Sequence, residues 1–293
     1  MASRKKSATP LTITFRARTL SGYCRDLLVS LGTPQAYGQL VGDSLVAANL
    51  RGVDSHGIQM LLTYILQTRA GGMDVKAAGR VQSRKGVCLL YNGRNGLGQV
   101  VADRCVDHAI RIARRSGVGL VVANHSNHLG ACAYWAQRMT EAGFVGIVMT
   151  NACPAAAPWQ GRTPIFGTNP ICMAVPGSGP CDWLLDMATT TVALGKIGHA
   201  SQMNRPTIPA AWGFLDAKGN PTTSTEAALK GVNGVPFPTP TGGYKGSGLA
   251  MMVEILCAGL SGGAMTTDLP VFGTGGDPIG VSHMFLAIDT GCF

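Results

Sequence analysis

The stretch 117–196 constrains the fold more than any other part of the chain, because three apolar runs in it are each followed by polar residues. The runs lie at 118–123, 145–149 and 183–185. Short, β-rich runs bounded by Gly, Asn and Pro are typical of buried strands. The polar residues that follow them are Ser126-Asn127-His128, Thr150-Asn151, Gly167-Thr168-Asn169 and Asp186. A rigid scaffold presents its chemistry at the ends of such strands, so we expect these clusters to share one site.

Helical patterns flank this strand-rich middle. We predict helices over 19–31, over 34–50, from Asp54 or Ser55 to about Gly71, over 99–115 and over 246–260. We predict further strands at 87–91 and 283–289, loops at 216–242 and 262–282, and disorder at 1–10. The outer helical segments are expected to pack together as one domain, with the strand-rich middle as the other.

The composition limits the class of protein. Only 13% of the 293 residues are charged, which indicates a large buried fraction and an apolar face covered by a partner subunit. No apolar run approaches the roughly 18 residues of a membrane span. The formal charge is +9, but the basic residues are spread along the chain without a nucleic-acid-binding motif. We therefore expect neither nucleic acid nor membrane as a partner, and a basic surface that suits a small anionic substrate or a phosphate-bearing cofactor.

The nine cysteines are scattered without a CxxC pair, and the histidines form no HxH or HExxH pattern. No metal site is predicted from such spacing. An odd number of cysteines and the absence of a secretory h-region favour reduced thiols in the cytoplasm. The basic N-terminus, with Arg4, Lys5 and Lys6, leaves an organelle-targeting segment open as the alternative.

Ser55 and His56 fall at the predicted start of the third helix. The positive end of a helix lowers the pKa of an imidazole and keeps it neutral near pH 7, ready to exchange a proton. Arg51 lies just upstream, and a guanidinium holds a carboxylate through two parallel hydrogen bonds. The alternative is that His56 is a second cap and Arg51 a surface residue.

Two further histidines, His125 and His128, flank Ser126-Asn127. Either one contacts a ligand, or each is a hydrogen-bonded core residue. Asp186 ends an apolar strand, and a buried carboxylate needs a partner. It either orients a histidine as the third group of a catalytic set or caps the turn that follows at 188–190.

Two glycine-rich stretches have a phosphate-binding interpretation. The sequence GRNGLG at 93–98 lies between a predicted strand and a predicted helix. Its glycine order differs from the G-x-G-x-x-G of a dinucleotide-binding loop, which favours a plain turn. Lys245 lies among glycines at the start of the last helix, a position that suits phosphate or carboxylate binding; a tight turn is the alternative.

Taken together, seven segments resemble the type-2 malate/L-lactate dehydrogenase family. In chain order they are RGVDSHG, NGLGQ, SNHLGACAYWA, PWQGRTPIFGTNP, LDMATT, GKI and GGYKGSGLAMMVEIL. This is a group of NAD(P)-dependent 2-hydroxy-acid oxidoreductases that includes ureidoglycolate dehydrogenase and piperideine-2-carboxylate reductase. The resemblance spans about residues 12–293.

The resemblance implies an α/β protein that differs from the classical Rossmann dehydrogenases. A helical domain would comprise 12–75, completed by about 240–270. The NAD(P)-binding α/β domain would comprise 76–239, with a mostly antiparallel sheet and 280–293 as a possible last strand. Members of the family are dimers or larger, so a homodimer is expected.

The same resemblance assigns roles to residues. His56 would exchange a proton with the substrate oxygen, with Ser55 and Asp186 as its relay, whereas His128 takes the proton-acceptor role in ureidoglycolate dehydrogenase-like members. Arg51 would hold the substrate carboxylate, and Thr168 would also contact the substrate. The positions that would contact the cofactor, NAD or NADP, are Gly130, Asn151, Ala152, Asp186, Met187, Ala188 and Lys245.

The implied reaction is hydride transfer between NAD(P) and a small 2-hydroxy acid or 2-keto acid, of the malate or lactate kind. Family members continue past the position of Phe293 in a helical tail that helps to close the cofactor site. The resemblance therefore leaves an alternative, a cofactor-binding member with little or no turnover. A cyclic-imine carboxylate reductase is the other alternative.

Overall fold

The computed structural model describes residues 14–179, 182–231, 236–270 and 276–293. The predicted disorder at 1–10 and the basic cluster there lie outside these ranges. The helices are α1 (Ala17–Ser30), α2 (Gln35–Leu50), α3 (Met60–Arg69), α4 (Gly98–Ser116), α5 (Cys132–Glu141), α6 (Gly195–Gln202), α7 (Thr225–Lys230) and α8 (Tyr244–Glu254). The strands are β1 (Arg80–Lys85), β2 (Cys88–Asn92), β3 (Val118–Ser126), β4 (Phe144–Thr150), β5 (Ile171–Val175), β6 (Trp183–Met187), β7 (Phe214–Leu215), β8 (Phe237–Pro238) and β9 (Val281–Asp289). Within the described ranges, no helix is long and apolar enough to cross a membrane.

Seven strands form one sheet in the order β1-β2-β3-β9-β4-β5-β6. The pair β2–β3 is parallel, with Tyr91 opposite Ala123, and the other neighbours in this sheet are antiparallel. The predicted mostly antiparallel sheet is thus confirmed. The predicted last strand, β9, inserts between β3 and β4 and so forms the middle of the sheet. Strands β7 and β8 pair separately.

Helices cover both faces of the sheet. On one face, Trp135 of α5 and Ile112 of α4 lie in a buried cluster with Val121 and Phe285. On the other face, Val253 at the end of α8 belongs to a cluster with strand residues of β3, β4 and β9. Since successive strand residues point to opposite faces, a strand buried on both faces carries an unbroken apolar run, which is the pattern of the sequence at 118–123.

The N-terminal helices α1, α2 and α3 form a separate apolar cluster. Leu28, Leu45 and Tyr64 are fully buried there, together with Leu97 and Val100 at the start of α4. The α8 helix packs on the sheet and contributes no residue to that N-terminal cluster. The domain boundaries at 75 and 239 stay a prediction.

Two local predictions are corrected by the structure. The third helix does not begin at Asp54 or Ser55, because Asp54–His56 form a separate 3₁₀ turn and α3 begins at Met60. The predicted loop at 216–242 contains the short helix α7. That helix is stabilised locally, since the Ser224 hydroxyl accepts a hydrogen bond from the amide of Ala227.

Candidate active site

A cavity of about 970 Å³ lies where the end of α2, the 3₁₀ turn, the start of α5 and the ends of β4 and β6 come together. Its size lies within the roughly 300–1,000 Å³ of small-molecule and cofactor sites. The predicted site residues that line it are Arg51, Ser55, His56, His128, Gly130, Asn151, Ala152, Thr168, Asp186 and Ala188. The fold therefore gathers residues from every cluster at the strand ends into one place.

Arg51 is the C-terminal cap residue of α2 and is exposed to the cavity. Among the described residues it makes no ion pair, and it is the one Lys or Arg of the cavity lining. A guanidinium without an internal partner is available to bind an anion, and its planar fork matches a carboxylate.

Asn49, two residues earlier, fixes the 3₁₀ turn that carries the first histidine. Its side-chain oxygen accepts from the amide of Ile58 at 2.8 Å, and its amide nitrogen donates to the carboxylate of Asp54. These bonds tie the end of α2 to both sides of His56. The turn is also closely packed, because a Cβ on Gly195 would lie 2.7 Å from the Cβ of Ser55. Glycine at 195 lets α6 approach the turn.

His56 contacts the hydroxyl of Ser55 through Nδ1 at 3.0 Å. Burial lowers the pKa of His56 below its usual 6.5, since the protein interior disfavours the charged form. The direction agrees with the sequence-based expectation, but the cause is desolvation and not the end of an α-helix.

His128 lies on the loop between β3 and α5, and its ring stacks on that of His56. The two ring centroids are 5.5 Å apart and the planes meet at 25°. Burial lowers the pKa of His128 to about 3, and the neighbouring charges of His56 and His283 act in the same direction. The loop thus presents a second imidazole that stays neutral at physiological pH.

Asp186 is the next-to-last residue of β6 and lines the cavity. Its carboxylate accepts from the backbone amide of Ala133, in the first turn of α5, at 2.8 Å. Burial raises the pKa of Asp186, while the Ala133 hydrogen bond and the charge of Arg51 oppose that rise. Among the described residues no hydrogen bond joins Asp186 to His56, so of the two predicted relay residues only Ser55 is hydrogen-bonded to that histidine.

Asn151 is one of the residues predicted to contact the cofactor. The side-chain amide of Asn151 is used internally, since it donates to Glu254 and to the carbonyl of Ala264, and its oxygen accepts from the amide of Ser282. Its backbone is also paired, because the amide donates to the carbonyl of Ser282 and the carbonyl accepts from the hydroxyl of Thr150. Asn151 therefore lines the cavity as a residue that is fixed by internal hydrogen bonds.

Thr168 lines the cavity, and its carbonyl oxygen accepts from both the amide and the hydroxyl of Thr189, at 2.9 and 3.1 Å. Its backbone is thereby fixed beside the cavity.

Met187 and Lys245 are not among the residues that line the cavity. Met187 follows Asp186 on β6, and consecutive strand side chains point to opposite faces. Lys245 is exposed in the first turn of α8. Their contacts with a cofactor stay predictions.

The GRNGLG stretch is also absent from the cavity lining. The amide of Asn127 donates to the carbonyls of Asn95 and Gly96, at 3.0 and 2.8 Å. A Cβ on Gly98 would lie only 2.1 Å from the carbonyl oxygen of Asn127. The stretch is thus a turn that supports the loop bearing His128, and this agrees with the plain-turn interpretation.

Sequence reasoning missed a buried polar group behind the histidines. Tyr64, Gln67 and Gln99 are almost fully buried; Gln99 donates to the Tyr64 hydroxyl at 3.0 Å, and Gln67 donates to Asn127 at 3.3 Å. The available signal was spacing: Gln67 follows Tyr64 by three positions, on the buried side of α3. A glutamine on an apolar helical face needs a buried partner.

The family model described as "Malate/L-lactate dehydrogenase" matches residues 15–293. The malate dehydrogenase of Pyrococcus horikoshii is 40% identical over 266 residues, covering 90% of this chain and 72% of that protein. A (2R)-3-sulfolactate dehydrogenase (NADP(+)) of Chromohalobacter salexigens is 34% identical over 267 residues, covering 91% of this chain and 78% of the other.

Solved structures are similar over nearly the whole chain. The structure of the Pyrococcus horikoshii malate dehydrogenase superimposes with a TM-score of 0.85 at 36% identity, covering 96% of this chain and 77% of that one. The Δ1-piperideine-2-carboxylate reductase of Pseudomonas syringae superimposes with a TM-score of 0.86 at 29% identity, covering 95% of this chain and 82% of that one.

Proposed function

Because this chain belongs to the malate/L-lactate dehydrogenase family, it is an NAD(P)-dependent oxidoreductase of small 2-hydroxy acids, and we propose that Arg51, His56 and His128 form its active site. The observation that carries this assignment is a stacked pair of imidazoles, 5.5 Å apart, in one cavity with the Arg51 guanidinium, which makes no ion pair with any described residue. The guanidinium binds the acid, and the imidazoles serve the oxygen that is oxidised or reduced.

Arg51 selects substrates that carry a carboxylate. It is the only cationic Lys or Arg in the described lining, and Asp186 shares the cavity with it. A substrate carboxylate is therefore drawn to Arg51 and repelled by Asp186. In this proposal the adjacent carbon, which carries the hydroxyl or keto oxygen, faces the histidine pair in the same cavity.

His56 exchanges the proton. Its partner, the Ser55 hydroxyl, can both donate and accept a hydrogen bond, so it accommodates the neutral and the protonated ring. His128 differs, because its Nδ1 already accepts a hydrogen bond from the amide of Gly130 at 3.3 Å. Protonation of Nδ1 would break that hydrogen bond. We therefore assign the proton to His56 and a supporting role to His128. In oxidation His56 takes the hydroxyl proton, and in reduction it returns it.

The cavity fits a nicotinamide cofactor. Gly130, Ala152 and Ala188 are small residues of the lining, and they leave room beside the histidines. Asn151 and the first residues of α5, Cys132 and Ala133, also line the cavity. These residues would hold the cofactor, which supplies the hydride acceptor or donor when bound. The choice between NAD and NADP is left to titration with each nucleotide.

A cyclic-imine carboxylate is the second candidate substrate. Its support is the structural likeness to the Pseudomonas syringae reductase. Such a substrate also carries a carboxylate next to the carbon that is reduced, so Arg51 would bind it in the same way. That carbon would accept the hydride, and the ring nitrogen would accept the proton from His56.

A homodimer is proposed from the exposed side of α8 and the residues that follow it. Met251, Ile255 and Leu260 are 41%, 50% and 55% exposed. Apolar side chains exposed together favour burial against a partner, and a second copy of the chain is the commonest one. Light scattering during size exclusion would test this, and a monomeric mass at micromolar concentration would contradict it.

The test of function is substrate-dependent change in NAD(P)H absorbance over a panel of 2-keto acids and cyclic imines. We expect oxidation of NAD(P)H with at least one carboxylate-bearing member and none with the matching neutral carbonyl compound. Nucleotide binding without turnover on any member would instead support a cofactor-binding protein. His56→Ala serves as the matched inactive control.

A further inference from the structure

The Nδ1 atom of His128 is surrounded by hydrogen-bond donors. The hydroxyl of Tyr64 lies 2.7 Å from it, and the backbone amide of Gly130 lies 3.3 Å from it. A backbone N–H can only donate. Nδ1 must therefore accept, which requires that it carry no proton.

The direction of the hydrogen bond between Tyr64 and His128 follows from the second partner of the Tyr64 hydroxyl, Gln99. The side-chain amide of Gln99 donates to the Tyr64 oxygen at 3.0 Å, and both side chains are fully buried. The phenol proton then needs an acceptor of its own, because an unpaired buried donor is unfavourable. Among the described residues, Nδ1 of His128 is the acceptor within reach. Burial also raises the pKa of Tyr64, so the phenol keeps this proton at neutral pH.

We propose that Tyr64 is a positioning residue that holds His128 in the tautomer with its proton on Nε2. This proposal rests on the proposed function of the histidine pair and deepens it. In this tautomer His128 serves the substrate oxygen as a hydrogen-bond donor through Nε2–H. It cannot take the substrate's proton while Nδ1 is occupied by Tyr64 and Gly130, so the proton exchange falls to His56. The hydrogen-bonded series Gln99–Tyr64–His128 thus gives the two stacked imidazoles different roles: His128 donates a hydrogen bond, and His56 exchanges the proton.

The alternative is that Tyr64 only fills the core of the helical cluster. Its ring is fully buried beside apolar residues of α1 to α4, and Phe in its place would keep that packing. Tyr64→Phe therefore separates the two roles, since it removes the hydroxyl and retains the ring.

The matched control is Tyr91→Phe. Tyr91 is also buried, and its hydroxyl donates to the carbonyl of Ala78 at 2.6 Å. It does not line the cavity. The control thus loses one buried tyrosine hydroxyl without touching His128.

The first measurement is the tautomer of His128 in the ¹⁵N-histidine-labelled protein without ligand, assigned by its loss in His128→Asn. Protonated and unprotonated ring nitrogens give separate ¹⁵N signals. We expect an unprotonated Nδ1 in the wild type and in Tyr91→Phe, and a mixture of tautomers in Tyr64→Phe. A wild-type His128 protonated on Nδ1 would overturn the proposal. This arm needs no turnover, so it decides the tautomer even if the proposed function fails.

The second measurement is steady-state kinetics on the best 2-keto acid. Loss of one orienting hydrogen bond should lower kcat by roughly tenfold, with KM changed little because Arg51 still binds the carboxylate. Gln99→Met keeps the hydrogen bond that the Tyr64 hydroxyl donates to Nδ1 of His128, so it should give a smaller fall in kcat. Equal kcat in Tyr64→Phe and Tyr91→Phe would show that the hydroxyl has no part in positioning His128 for the reaction.

Discussion

Acid should unfold this protein through its buried histidines. His283, in the middle strand β9, contacts the hydroxyl of Thr150 through Nδ1 at 2.7 Å and that of Ser126 through Nε2 at 2.8 Å. It joins the ends of β3 and β4, from which the site loops leave. Burial lowers the pKa of His283 to about 3, and the pKa of His128 likewise to about 3.

The sign and size of the expected loss of stability in acid follow from proton linkage. A folded-state pKa below the unfolded value of 6.5 means that the unfolded chain binds protons more readily. The stabilisation is then complete above pH 6.5 and is lost as the pH falls from there toward 3. At pH 5, about 1.5 pH units below the unfolded pKa, each histidine favours unfolding by about 2 kcal/mol. The pair removes about 4 kcal/mol, against a typical total stability of about 5–15 kcal/mol.

The assay is the free energy of unfolding in urea at pH 7 and pH 5, for the wild type and for His283→Gln. Glutamine does not titrate, so the difference between the two pH values should shrink by about 2 kcal/mol, whatever the substitution itself costs. His199→Gln, at an exposed position on α6, is the control. If His283→Gln and the wild type lose equal stability between pH 7 and pH 5, the buried histidine is not the source of the acid sensitivity.

Three further predictions concern the cavity. His56→Ala should lower turnover by roughly 10²–10⁴-fold, the usual contribution of a general acid–base. Nucleotide affinity, measured by titration, should stay the same. Near-full turnover would instead assign the proton exchange to His128. Arg51→Lys keeps the charge and loses the bidentate fork, so KM for acid substrates should rise while nucleotide binding stays constant; an equal loss on a neutral carbonyl compound would refute the carboxylate assignment. Asp186→Ala removes the acceptor for the Ala133 amide and should lower the free energy of unfolding by about 1 kcal/mol; an unchanged urea midpoint would show that this cap contributes nothing.

Much of the sheet could be predicted from local pattern. The runs at 118–123, 145–149 and 183–185 lie in β3, β4 and β6, because apolar, β-rich runs between turn residues leave few other structures available. The predicted helices at 19–31, 34–50 and 99–115 correspond to α1, α2 and α4, because apolar residues at helical spacing predict an amphipathic helix. Local pattern failed at α7, where one hydroxyl cap and six residues suffice for a helix.

The sequence by itself also predicted ten of the residues that line the cavity, since the order of its motifs carries the family resemblance, although Met187 and Lys245 do not line it. It could not determine how those residues are connected. Only the tertiary structure showed that Asp186 accepts a hydrogen bond from the amide of Ala133. It also showed that Tyr64 and Gln99 lie behind His128, and that the rings of His56 and His128 stack. These contacts join residues up to 72 positions apart, as for His56 and His128, and no local propensity encodes them. They arise because burying the apolar faces of the sheet and helices fixes where each loop must lie, and buried polar groups then pair with whatever partner that packing brings within reach.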